Sequence, residues 1–177
     1  MNIITVVLIS ISLSMDAFSL SLIYGTEGLR RKDKIILSSI VGIYHFIMPL
    51  LGLNIGTFIT NRIIFNTNIL VGIILSLIAI EMLISSFKDQ EEKFLLSIAG
   101  FFLFGLSVSI DSLTTGIGLP IITNNYILAV SIFSITSFLF TFLGLNLGNI
   151  LNKKFGKLST ILGGLILLIL GIIYIFK

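Results

Sequence analysis

Ser12-Leu13-Ser14-Met15-Asp16 returns, 95 positions further on, as Ser107-Val108-Ser109-Ile110-Asp111, and the architecture of the chain follows from that repetition. The two stretches share one S-x-S-x-D pattern, and each lies inside a long apolar run. The match extends outward from both. Gly52-Leu53-Asn54-Ile55-Gly56 returns as Gly144-Leu145-Asn146-Leu147-Gly148 at a spacing of 92, and Gly72 pairs with Gly164 at the same 92. The chain reads as two related halves, about residues 1–88 and about residues 93–177.

Those halves are made of lipid-compatible segments. The 177 residues are 56% hydrophobic and 11% charged, with a mean hydropathy of +1.16, far from the mix of soluble domains, which are about one-quarter charged. Six apolar segments can be read off, at 3–24, 35–59, 68–87, 94–119, 126–150 and 158–176. Each approaches or exceeds the ~20 residues a helix needs to cross a bilayer core. The expectation is an all-α membrane protein, a single transmembrane domain of six transmembrane helices. The polar stretches between segments run to only about ten residues, too short for a nucleotide-binding module or a soluble catalytic lobe. The first segment lacks a basic leader and carries Asp16 at its centre, so it reads as a mature helix rather than a secretory signal. Because each half has three spans, the second half enters the membrane from the opposite side. Two inverted three-helix repeats of this kind belong to transporters, with the site near the midplane.

The formal charge of +3 reflects orientation rather than nucleic-acid binding. Arg30, Arg31, Lys32, Lys34, Lys88, Lys93, Lys153, Lys154 and Lys157 fall in loops on one side, against Arg62 and Lys177 on the other. The positive-inside rule then places both termini outside a plasma membrane. With no cysteine in the chain, thiolate metal sites, disulfides and cysteine nucleophiles are excluded.

Three acids, Asp16, Glu81 and Asp111, lie inside apolar segments with no Lys or Arg at matching depth. A carboxylate at mid-membrane costs at least ~2.5–3.5 kcal/mol, so such groups call for a proton, a bound cation or water. Ser12, Ser14 and Ser19 accompany Asp16, and Ser107, Ser109, Thr114 and Thr115 accompany Asp111, several of them at spacings that share a helix face. Carboxylate, hydroxyl and amide oxygens form a hard donor set suited to Mn²⁺, Mg²⁺ or Ca²⁺. The alternative is that protonated carboxyls tie helices together through hydroxyls. Asn54 and Asn146 offer carbonyl oxygens near a helix that Pro49 is expected to break, or else their flanking glycines simply let helices approach. His45 is either a hydrogen-bonded packing residue or a nitrogen ligand or proton carrier. Gly163, Gly164 and Gly171 give the last helix a close-packing face, toward its own bundle or toward a second copy in a homodimer.

The runs Ser14-Met15-Asp16-Ala17-Phe18, His45-Phe46-Ile47-Met48-Pro49-Leu50-Leu51-Gly52, Glu81-Met82-Leu83-Ile84 and Ser107-Val108-Ser109-Ile110-Asp111-Ser112 resemble the bacterial manganese efflux pump family, a six-helix group within the lysine exporter superfamily. That resemblance implies Mn²⁺ as transported substrate, no cofactor, Asp16 and Asp111 as the acids needed for export, and Glu81 as a third. A related group of sporulation membrane proteins shares the paired Asp motifs and a Tyr-Gly step like Tyr24-Gly25. Export of a dication against ~100 mV costs about 4.6 kcal/mol before any concentration gradient. No phosphate-binding Gly-rich motif supplies ATP energy, so exchange for protons or sodium is the expected source. The competing expectations are an exporter of amino acids or other small solutes, and a non-transporting sporulation or envelope protein. An intramembrane enzyme is not expected, because no G-x-G-D or Ser-His arrangement is present.

Overall fold

The computed structural model describes residues 3–26, 29–60, 67–87, 97–148 and 153–176. Arg62, Lys88, Lys93 and Lys177 lie outside them. The described chain is all helical: α1 (Ile3–Gly25), α2 (Arg31–Thr60), α3 (Thr67–Ser86), α4 (Ile98–Ser107), α5 (Ile110–Ile122), α6 (Tyr126–Leu147) and α7 (Lys153–Ile175). Local chemistry marks several ends. Ser97 caps α4 by accepting from the Gly100 amide at 3.1 Å, and Asn125 caps α6 by accepting from Leu128 N at 3.2 Å, each satisfying a donor the helix itself cannot.

Three helices, Ile3–Gly25, Arg31–Phe58 and Tyr126–Leu147, are long and apolar enough to cross a membrane, and α4 with α5 qualifies as one span bent by 42°. In α3 and α7 the apolar stretches Val71–Ile80 and Thr160–Ile175 are shorter. Large apolar side chains face outward along these helices, among them Ile43, Ile47 and Leu51 on α2 and Ile135, Leu139 and Leu143 on α6. Rows at i, i+4, i+8 on the outside of a bundle form a surface that water does not tolerate and lipid does. The chain is a multi-pass membrane protein.

Two expectations about helix continuity are corrected. The fourth apolar segment is not one straight helix: it bends at Val108 and Ser109, whose ψ angles are −2° and 0°, outside the α-helical range. Serine hydroxyls add a second donor to carbonyls around the bend that also accept backbone N–H groups from Val108, Ser109 and Leu113. Ser107 Oγ donates to Phe104 O at 2.9 Å, Ser109 Oγ to Leu106 O at 3.1 Å and Ser112 Oγ to Ser109 O at 2.6 Å. Conversely, Pro49 does not break α2, which runs from Arg31 to Thr60 with the proline inside it.

Several glycines stand where two helix backbones touch. A side chain at Gly52 would strike Leu113 O, with Gly116 Cα and Ile117 N each at 3.0 Å; one at Gly144 would meet Ser21 Cβ at 2.7 Å, Phe18 O at 2.8 Å and Leu22 N at 3.2 Å. Thus α2 lies on α5 and α6 lies on α1. Likewise Gly72 lies against Gly171 O and Ile175, and Gly164 against Ala79 O and Leu83. The glycine face of α7 is therefore occupied by α3 of the same chain, not by a second copy.

Candidate functional site

The interior is stratified. One apolar cluster gathers Val6, Ile9 and Leu13 of α1 with Val71 and Leu75 of α3, Leu119 of α5, Phe133 of α6 and Leu167 of α7. The other gathers Ala17 and Tyr24 of α1, Leu37 and Val41 of α2, Phe101, Phe104 and Val108, and Leu145 of α6. On α1 the change from one cluster to the other falls between Leu13 and Ala17, where Asp16 stands. On the bent span it falls between Val108 and Leu119, where Asp111 stands, and on α2 between Val41 and Phe46, where His45 stands. Buried polar residues fill the seam: Ser14, His45, Ser109, Ser112, Thr115, Ser137 and Thr141.

Asp16 and Asp111 are both half-buried. Asp111 belongs to the first turn of α5 and its Oδ1 accepts from the Ser112 amide at 2.9 Å, so the bend presents both a carboxylate and a helix start inside the bundle. Around Asp16, Ser12 Oγ donates to Leu8 O at 2.9 Å and Ser14 Oγ to Ser10 O at 2.7 Å, while Ser14 Oγ also meets Ser137 Oγ at 3.0 Å. Ser19 is buried and Thr114 half-buried. Thr115 Oγ1 and His45 Nε2 are buried without a hydrogen-bond partner among the described residues, and His45 Nδ1 is 3.0 Å from Val41 O.

Other anticipated residues are placed elsewhere. Asn54 and Asn146 are exposed and donate to Leu50 O at 3.1 Å and Phe142 O at 2.7 Å, one turn back on their own helices; Asn146 Oδ1 also takes Lys34 Nζ at 3.4 Å. Within the Gly-x-Asn-x-Gly motifs the packing is done by the glycines. Ser107 is exposed. Glu81 falls within α3, with its side chain outside the described residues. Among the described residues, no three His, Cys, Asp or Glu side chains are gathered to hold a metal ion.

A feature absent from the sequence reading is a cavity of about 650 Å³ lined by Thr5 and Leu8 of α1, Asn68 of α3, Thr123 and Asn124 after α5, and Tyr174 of α7. Its signal was available in Thr5, Asn68, Thr123, Asn124 and Tyr174, polar residues that recur at or near the ends of apolar segments.

Half-buried acids between two apolar clusters, flanked by buried hydroxyls, define a multi-pass membrane protein with a polar stratum inside its spans. Comparison with known sequences gives the particular family. The family described as "Putative manganese efflux pump" matches residues 28–175. Relatives carrying that description include one from Oceanobacillus iheyensis, 35% identical over 99% of this chain and 97% of its own length. Others are from Bacillus pumilus, 33% identical over 99% and 96%, and Halalkalibacterium halodurans, 34% identical over 97% and 95%. The chain belongs to the manganese efflux pump family. No solved structure matches it.

Proposed function

We propose that this protein exports Mn²⁺ from the bacterial cytoplasm in exchange for protons or sodium, through an ion path that crosses the seam at Asp16 and Asp111. The observation that carries this reading is the coincidence of both acids with the boundary between the two apolar clusters. A carboxylate there, backed by hydroxyl oxygens, suits a hard dication. Family membership supplies the metal, since the relatives' names specify manganese.

Six spans in two inverted halves fit the packing residue by residue. Shifting Leu113, Gly116 and Ile117, the neighbours of Gly52, by 95 gives Phe18, Ser21 and Leu22, the neighbours of Gly144, which is Gly52 shifted by 92. The pair Gly72–Ile175 becomes Gly164–Leu83 under the same 92. The Gly105–Tyr44 contact likewise becomes the Thr136–Ser10 hydrogen bond of 3.2 Å. At 20 and 23 residues, α3 and α7 have the ~30 Å length that completes the six. The cavity draws on the starts of α1 and α3 and the ends of α5 and α7. An alternating topology puts these on one side, opposite the Lys- and Arg-rich loops, which by the positive-inside rule is the outside.

The test is Mn²⁺ sensitivity of bacteria lacking their own exporter, together with ⁵⁴Mn²⁺ uptake into inverted vesicles. The intact chain should confer resistance and drive uptake that responds to a pH or sodium gradient. Asp16→Asn and Asp111→Asn should each abolish both. Full export by the two variants removes the site, and indifference to manganese with flux of an amino acid removes the substrate.

A further inference from the structure

Two carboxylates and a set of hydroxyls explain binding of a hard dication, but they leave a chemical problem. Such oxygens suit Mg²⁺, Ca²⁺ and Mn²⁺ alike, so an all-oxygen path has little means of preferring manganese. One buried group in the bundle has the donor chemistry to make that distinction.

His45 is fully buried, its Nδ1 is engaged with Val41 O at 3.0 Å, and its Nε2 is without a partner among the described residues. A buried polar atom left in this way is a departure that asks for a reason. Two independent lines place His45 at the level of the bend. The first is the α2 contact register. Gly105, just before the bend, abuts Ile40 and Tyr44, with Tyr44 Cδ2 at 2.8 Å from where a Cβ would stand; Gly116, just after it, abuts Pro49, with Pro49 Cα at 2.6 Å. The two segments run in the same direction, so the bend at 108–109 falls opposite the turn between Tyr44 and Pro49, where His45 is the buried polar residue. The second is the repeat. His45 is Ser137 shifted by 92, and Ser109 is Ser14 shifted by 95. Ser14 and Ser137 meet Oγ to Oγ at 3.0 Å, so the corresponding pair across the other half is Ser109 with His45.

Resting on the manganese-export reading, we propose that His45 Nε2 is a ligand to the transported ion at the α4–α5 bend, beside Asp111 and the Ser109 hydroxyl, and that it sets preference for Mn²⁺ over Mg²⁺. A neutral imidazole adds a nitrogen donor without adding charge. First-row transition ions accept nitrogen readily, whereas Mg²⁺ holds its oxygen shell and sheds water reluctantly. The Nδ1–Val41 contact fixes the ring and directs Nε2 outward, as the second nitrogen of a metal-bound histidine commonly does. The station has one carboxylate, one imidazole and neutral oxygens, in keeping with the lack of a three-membered acid or histidine cluster among the described residues.

The chain has one histidine, which makes a direct test available on the unmodified protein. The full chain, purified without a histidine tag in lipid nanodiscs and loaded with Mn²⁺, is examined by electron spin-echo envelope modulation. Imidazole ¹⁴N modulation is expected, and growth on ¹⁵N-histidine should convert it to the ¹⁵N pattern. Bound Mn²⁺ with no histidine-dependent modulation overturns the proposal. In inverted vesicles, His45→Gln should still take up Mn²⁺, while the Mg²⁺ concentration that halves uptake falls about tenfold. An unchanged Mg²⁺ competition curve also overturns it. A wild-type chain that neither binds nor moves Mn²⁺ sinks the export reading itself, a different result from transport that has merely kept its selectivity.

Discussion

Gly116 and Gly118 offer a controlled test of how α2 and α5 meet. Both are buried on α5, two residues apart, and an alanine at either gains the same intrinsic helix preference, about 0.8–1 kcal/mol over glycine in a helix interior. Their surroundings differ. A Cβ at Gly116 would strike Pro49 O and stand 2.6 Å from Pro49 Cα and 2.8 Å from Pro49 C, all backbone atoms of a packed helix. A Cβ at Gly118 would meet Val71 Cγ2 at 3.3 Å, Ile122 Cδ1 at 3.7 Å and Val71 Cγ1 at 3.8 Å, all side-chain methyls that can yield by tenths of an ångström. Overpacking against unyielding atoms costs about 1–3 kcal/mol, and the shared propensity gain cancels between the variants. Gly116→Ala should therefore be less stable than Gly118→Ala by about 1–3 kcal/mol. At about 2–4 °C per kcal/mol for a chain of this size, the gap in Tm is roughly 2–12 °C. Thermal unfolding in one detergent, followed by size-exclusion fluorescence, reads it directly. Equal melting of the two variants, or a more stable Gly116→Ala, refutes the close α2–α5 approach.

Three further outcomes are expected. Tyr24→Ala should lose about 3–5 kcal/mol, because Tyr24 is buried against the rings of Phe104 and Phe101 at 5.0 and 6.4 Å; denaturant titration measures the loss, and a change under about 1 kcal/mol would contradict that burial. Lys34→Ala should change stability by no more than about 0.5 kcal/mol, since its 3.4 Å bond to Asn146 is exposed, and a larger loss in the same titration would contradict that exposure. The chain has no native cysteine, so Asn124→Cys should react with a membrane-impermeant maleimide applied to whole cells and Lys157→Cys only after permeabilisation. The reverse pattern overturns the proposed orientation.

Much of this architecture could be read from residues, and the exceptions have physical causes. Periodic apolar segments and repeated glycines were legible because lipid-facing rows and backbone-to-backbone contacts each require particular side chains, or none. The glycine contacts at 52, 72, 144 and 164 follow the spacing of 92 that paired them in the sequence. The bend at 108–109 was not legible, since Ser-x-Ser reads the same whether a helix continues or turns. Pro49 misled in the opposite sense, because tertiary packing holds α2 together through it. The orientation of Asn54 and Asn146 was also hidden: the glycines set the contact face, and an asparagine two residues from each necessarily points elsewhere. At the candidate site, the acids were visible as charges in apolar runs. Their position at the seam between two clusters depends on long-range packing that no local pattern encodes.

The hydroxyls on the two Asp-bearing spans show how one motif supports two shapes. In α1, an uninterrupted helix, Ser12 and Ser14 hold carbonyls four residues back. In the angled counterpart, Ser107 and Ser109 hold carbonyls three residues back. Between the two spans each clasp differs by a single residue, and in both shapes every one of these hydroxyls has an acceptor. The repeated serines thus satisfy a continuous helix in one half and an angled one in the other, and neither shape leaves these hydroxyls unpaired.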